Sequence, residues 1–149
     1  SDLSAKMLAL LREKFAGRMD QITLIQGSYL TVDLGEERYD YVVSVMTLHH
    51  LLPDQKRELY ARIHRALKPG GVYIEGDYVV SESRARKLME EYREAVEAVV
   101  EAEPGSMHID IPFSIAMQRE LLMGAGFEEL VEVWQAGEAR VYEAIRGTG

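Results

Sequence analysis

The stretch from Tyr39 to Tyr78, YDYVVSVMTLHHLLPDQKRELYARIHRALKPGGVYIEGDY, constrains this chain more than any other. An apolar run, Tyr41 to Met46, ends at Thr47, Leu48, His49 and His50. From Pro53-Asp54 onward, Leu59, Ile63 and Leu67 keep helical spacing, and Lys68-Pro69-Gly70-Gly71 stops the helix in a tight turn. A second run over 72–79, β-branched and aromatic, carries Glu75-Gly76-Asp77 towards its end. Strand, helix, turn and strand make a βαβ unit with a right-handed crossover. Such a unit brings the carboxyl ends of both strands to one rim of a sheet, where open α/β folds bind ligands.

The rest of the chain supplies more elements of the same kind. Residues 4–16 read as a helix, with Ser4 as N-cap, Met7, Leu8, Leu11 and Phe15 as an apolar stripe, and Gly17 as the stop. Residues 22–26 read as a short buried strand and 28–38 as a polar loop. A long charged helix is expected over 82–103, with Leu88, Tyr92, Ala95, Val96 and Val99 on one side and Pro104-Gly105 as its end. A helix over 114–124 precedes two strands, Phe127 to Trp134 and Ala139 to Ile145, joined by a hairpin turn at 135–138. This order predicts a three-layer α/β fold, with helices on both faces of a mostly parallel sheet and one antiparallel strand from the terminal hairpin.

Composition narrows the function. The 149 residues carry a net charge of −8, which argues against nucleic acid as the main partner, because phosphate binding relies on clustered Lys and Arg. The absence of cysteine excludes disulfides, thiolate metal sites and a cysteine nucleophile. No apolar run approaches a membrane span and no signal-peptide pattern opens the chain, so a soluble cytoplasmic protein without membrane partners is the expectation.

The segment D-Y-V-V-S-V-x-x-L-H-H-L followed by L-K-P-G-G resembles the class I S-adenosylmethionine-dependent methyltransferases of small-molecule type. Asp2 to Leu8 looks like the end of that family's second strand and the helix after it, Ile22 to Gly27 like its third strand, and Leu121 to Ile145, with Ala125-Gly126-Phe127, like its last helix and closing hairpin. The family's G-x-G-x-G loop, expected before Asp2, has no counterpart in the sequence. The resemblance therefore implies a Rossmann-like sheet that is N-terminally incomplete. Residues 1–149 would be one methyltransferase-like domain, the C-terminal three quarters of the family fold, with 80–113 inserted over the substrate. It implies S-adenosyl-L-methionine as cofactor and a small-molecule methyl acceptor. On its own the chain is expected to bind the cofactor weakly and to be inactive, since that loop lets backbone approach the ligand.

The resemblance assigns cofactor contacts to Asp2, Gly27, Ser28, Tyr29, Ser44, Val45, Met46 and Leu48. Asp2 would accept hydrogen bonds from the ribose hydroxyls; otherwise it is a solvated terminal residue. Ser28 stands where the family has an acid that meets the adenine amino group, and a serine contact there is weaker. Tyr29 could stack on adenine instead, while Gly27-Ser28 also suits a plain turn. The backbone from Ser44 to Leu48 would line the methionine moiety. His49 and His50, at a strand's carboxyl end, are candidate general bases because imidazole titrates near neutrality; either could instead cap or pack under the next helix. Glu75 and Asp77 share one strand face and, with Tyr78 and His108, are candidate substrate-lining residues, or else they solvate the rim. His49, His50, Glu75 and Asp77 lack a recognisable ligand spacing, so no metal is expected.

A second reading is a non-catalytic methyltransferase-like domain used for assembly. The strand 39–46 has no Lys, Pro or inward charge to discourage edge pairing, and self-association into a homodimer through it, or through helix 82–103, is expected.

Overall fold

The computed structural model describes residues 2–99 and 110–149, and these form two compact units, Ser1–Leu34 and Gly35–Gly149.

In the first unit, α1 runs from Ala5 to Lys14. Ser4 caps it as expected, its hydroxyl accepting from Met7 N–H at 3.2 Å. A 3₁₀ segment, Ala16–Gln21, follows. The expected buried strand over 22–26 is not formed. Among the described residues the segment makes one parallel bridge, Gln26 to Asp2, and no residue of it is fully buried. α1 likewise buries none of its residues, and Met7, Leu10, Leu11 and Phe15 stay exposed. Five residues with one bridging partner have too few ladder bonds to count as a strand, whatever their pattern.

The second unit holds the sheet. Its elements are β1 (Tyr39–Val45), α2 (Pro53–Ala66), β2 (Leu67–Tyr78), α3 (Glu82–Val99), α4 (Ile115–Gly124), β3 (Glu129–Ala136) and β4 (Ala139–Ile145). The spatial order is β1-β2-β4-β3. β1 pairs with β2 in parallel across the α2 crossover, and β4 pairs antiparallel with both β2 and β3. β1, β2 and β3 therefore point one way and β4 the other, the mixed sheet expected from the sequence. The hairpin loop is Gly137-Glu138, with Gly137 at φ +61° in the first central position, which suits a two-residue turn.

Lys68-Pro69-Gly70-Gly71 departs from its expected role as a turn between helix and strand. β2 begins already at Leu67, and the ladder jumps from Tyr39↔Leu67 to Tyr41↔Val72, so the four residues bulge out of a continuous strand. Gly70 takes φ +75°, and a Cβ on Gly71 would lie 2.8 Å from the Lys68 carbonyl oxygen and 3.1 Å from that of Asp40. Arg146, just past β4, secures the same corner. Its Nη1 donates to the carbonyls of His64, Arg65 and Leu67, capping the C-terminal end of α2, and its Nη2 meets Glu37 at 2.9 Å.

α2 and α4 pack against each other and against the sheet. Leu59, Tyr60 and Ile63 from α2, Leu121 and Leu122 from α4, and Tyr73, Tyr142, Ala144 and Leu130 from the strands form the core between them. Tyr41, Val43 and Val45, on the other face of β1, are 66 %, 59 % and 63 % exposed, so the β1 edge is apolar on one side.

Gly71→Ala sets its new methyl against two backbone oxygens that cannot rotate away. The expected loss is about 1–3 kcal/mol of stability, read as a lower denaturant midpoint at unchanged slope.

Candidate functional site

Tyr73, Glu75 and Asp77 alternate with Ile74, Gly76 and Tyr78 on β2, so all three point to the helix side of the sheet. Glu75 is 0 % exposed and Asp77 1 %. Two carboxylates so deep in a sheet need partners, and the partners differ.

Glu75 accepts from the hydroxyls of Tyr60 (2.8 Å) and Tyr73 (2.9 Å) and from Gln118 Nε2 (3.4 Å), and faces Lys56 Nζ at 3.8 Å. Because Tyr73 spends its proton on Glu75, Ser44 Oγ donates to Tyr73 Oη at 2.7 Å. Burial lowers the Lys56 ammonium from its ordinary pKa, against the opposing pull of the Glu75 and Asp77 charges. Burial first, and then the Glu75 charge, push the phenols of Tyr60, Tyr73 and Tyr142 well above their ordinary value. The expectation that Glu75 lines a substrate pocket is thus corrected. Its oxygens are taken up inside the core by residues of α2, α4 and its own strand.

Asp77 serves the chain beyond β1. There Met46 adopts φ +50° and its N–H donates to the Gly76 carbonyl (2.7 Å), turning the backbone into a 3₁₀ segment, Leu48–His50. Asp77 Oδ2 accepts from the N–H groups of Leu48 (2.9 Å) and His49 (3.1 Å), while Oδ1 meets His49 Nδ1 at 2.6 Å. One carboxylate therefore caps the segment and orients its imidazole. His49 is 7 % exposed and its ring meets Tyr78 edge-on at 5.5 Å.

The segment 110–113 closes on the same point. Ile111 N–H donates to the His49 carbonyl at 2.6 Å, Val80 N–H to the Phe113 carbonyl at 3.2 Å, and Ile111 and Phe113 are buried. Asp110 Oδ1 lies 3.0 Å from His50 Nδ1 and 3.8 Å from His49 Nε2. Beside them opens a cleft of about 290 Å³ lined by His49, Tyr78, Arg84, Asp110, Pro112 and Glu138, among others. With Nδ1 held by Asp77, His49 has Nε2 left to meet a ligand.

Of the expected residues, His49, Asp77 and Tyr78 come together here, with His50 alongside. Leu48 contributes its N–H to Asp77 and its side chain to the core, and Ser44 turns to Tyr73. His108 lies outside the described residues. In the first unit, the bridge sets Asp2 beside Gly27, with Gly27 N–H donating to the Asp2 carbonyl at 3.0 Å. Asp2 Oδ1 accepts from Ser4 N–H at 2.7 Å, and Ser28 Oγ accepts from Leu30 N–H at 3.2 Å within a turn that also holds Tyr29. A Cβ on Gly27 would lie 2.9 Å from a Val32 methyl. Sequence reasoning missed Asp110, Arg84 and Glu138. The first sits sixty residues from His50 and the others at the start of α3 and in the hairpin loop, and no local pattern links such positions.

Comparison with known proteins gives a consistent picture. Residues 1–71 match the family model of a methyltransferase domain. The chain is 28 % identical over 116 residues to sterol 24-C-methyltransferase of Eremothecium gossypii, covering 78 % of this chain and 29 % of that protein. It is 27 % identical over 155 residues to carboxy-S-adenosyl-L-methionine synthase of Wolinella succinogenes, covering 98 % and 64 %. The fold superposes with a TM-score of 0.70 on the crystal structure of a protein described as an O-methyltransferase from Nostoc punctiforme, at 22 % identity, covering 97 % of this chain and 42 % of that one. The chain spans less than two thirds of each of these proteins.

Glu75→Ala leaves the Lys56 ammonium buried without its counter-charge and removes an acceptor from Tyr60 and Tyr73, which keep Gln118 Oε1 and Ser44 Oγ within reach, and stability should fall by about 3–5 kcal/mol. The raised phenols give a pH signature. In the unfolded chain they ionise near 10, so above that pH the unfolded state has released protons the native state keeps, and stability falls as pH rises. Phenolate absorbance should show Tyr60, Tyr73 and Tyr142, three of the eight tyrosines, ionising only as the protein unfolds.

Proposed function

We propose that the chain belongs to the class I S-adenosylmethionine-dependent methyltransferases, a reading that the methyltransferase-domain match over residues 1–71 and the likeness to carboxy-S-adenosyl-L-methionine synthase support, and that the enzyme it forms part of methylates a small molecule bound in the cleft beside His49. When bound, S-adenosylmethionine supplies a methyl group activated by its positively charged sulfur.

The first unit fits that cofactor in its chemistry. Asp2 offers a carboxylate of the kind that accepts from a ribose diol, and it adjoins Gly27, where side-chain crowding from Val32 favours bare backbone. Ser28 commits its hydroxyl to a turn, so it serves adenine through backbone or leaves that role to Tyr29.

The single observation that carries the reading is the 2.6 Å contact from Asp77 to His49 Nδ1 at the wall of a polar cleft. Asp77 fixes the tautomer that keeps the proton on Nδ1 and the lone pair on Nε2. His49 Nε2 would take the proton that an acceptor O–H or N–H gives up on methylation, and the buried Asp77 carboxylate would stabilise the imidazolium. Arg84 and Glu138, paired with each other across the cleft lining, favour an acceptor that carries polar groups over a purely apolar one. Among the described residues no helix is long and apolar enough to cross a membrane.

The test uses the full-length enzyme of which this chain forms part, with labelled S-adenosylmethionine and a panel of small phenols, carboxylic acids and amines. His49→Ala should lower kcat by about 10²–10⁴-fold near neutral pH and leave cofactor affinity within a few fold. Unchanged kcat would remove His49 as base. Failure of every acceptor, despite tight cofactor binding, would favour the assembly reading.

A further inference from the structure

We propose that His49, His50 and Asp110 form a binding site for a divalent transition-metal ion at the mouth of the cleft. The three side chains come from two segments sixty residues apart, yet each offers a ligand atom within 4.8 Å of the others. An ion bound at about 2.0–2.1 Å sets neighbouring ligand atoms roughly 3.0–3.4 Å apart. The Asp110 to His50 separation of 3.0 Å and the Asp110 to His49 separation of 3.8 Å bracket that spacing, so small rotations of the exposed His50 and Asp110 side chains suffice.

Two further observations point to a ligand. Asp77, 1 % exposed, meets Nδ1 of His49 at 2.6 Å, the outer carboxylate that fixes the ring's orientation and aims its other nitrogen at a metal. The 2.6 Å hydrogen bond from Ile111 N–H to the His49 carbonyl fixes the residue next to Asp110 against the histidine pair. Two imidazoles and one carboxylate favour zinc, cobalt or nickel over magnesium or calcium, which take oxygen ligands. Three protein ligands leave coordination positions open, and His49 and Asp110 both line the cleft, so water or an acceptor oxygen would complete the shell there. The Nε2 lone pair cannot both hold an ion and take a proton, so a bound ion would block base catalysis at His49, and the metal-bound form would be an inhibited one.

The test needs neither cofactor nor acceptor, which separates it from the methyl-transfer reading. The protein is titrated with Co²⁺, followed by visible absorbance, and the Co²⁺ is then displaced with Zn²⁺. One ion per chain is expected. His49→Gln should abolish binding, and His50→Gln or Asp110→Asn should weaken it at least about tenfold. Asp77→Asn should weaken it by about 10–100-fold. His64→Gln, whose ring packs on Gly126 and Phe127, should bind as wild type. His50 and Asp110 are exposed, so their variants should melt as wild type and any lost affinity reports ligation. Absence of a Co²⁺ spectrum at saturating metal, or wild-type affinity in both exposed-ligand variants, overturns the proposal.

Discussion

The fold depends on a charge it has buried. Glu75 stands in the middle of the sheet's central pairing, opposite Ser44 on one neighbour and Tyr142 on the other, and under both packed helices. A lone carboxylate there would cost several kcal/mol, and it is kept only because α2 sends Lys56 and Tyr60 and α4 sends Gln118 to meet it. An apolar core would accept α2 and α4 in several rotations. A carboxylate with four directed partners accepts far fewer, and it ties helix position to strand register.

Asp77, two residues along the same face, shows how one strand divides labour. Its partners are the N–H groups and imidazole of the segment beyond β1 rather than the helices. The change from Glu75 to Asp77 is also a change of reach, since the shorter side chain sits where the backbone of Leu48 and His49 comes close enough to donate directly. The rigid network under Glu75 holds β2, and β2 holds Asp77 under His49. Precision at the cleft therefore derives from packing deeper in the sheet.

Much of this was legible in the sequence because it is local. The periodicity of α2, the Ser4 cap, the hairpin around Gly137 and the direction of the strands all follow from neighbours in the chain. What escaped is long-range. Nothing near Glu75 announces that Tyr60 and Gln118 will reach it, so an acid at a strand's carboxyl end reads as lining a substrate pocket or solvating the rim. The L-K-P-G-G motif reads as a stop signal from its Pro and Gly, while Asp40 and Arg146 turn it into a bulge within a strand. Segment 22–26 has the right residues for a strand and lacks a ladder. Asp110, the residue that most changes the chemistry of the histidine pair, is joined to it by backbone contact from a loop whose polar alternation carried no such signal.

The hairpin has a kinetic side. β4 is the last of the four strands along the chain yet lies between β2 and β3. During synthesis β1, α2 and β2 leave the ribosome first and can assemble as a unit, but one flank of β2 stays unpaired until some seventy more residues have emerged, several seconds at ~5–20 residues per second. Over that interval the Glu75 side of the strand lacks Gln118 and the cover of Tyr142. Lys56, Tyr60 and Tyr73 already meet the acid in that β1–α2–β2 unit, so the waiting flank of β2 lies beside an inward-pointing charge, the kind of feature that discourages pairing with a neighbour's strand.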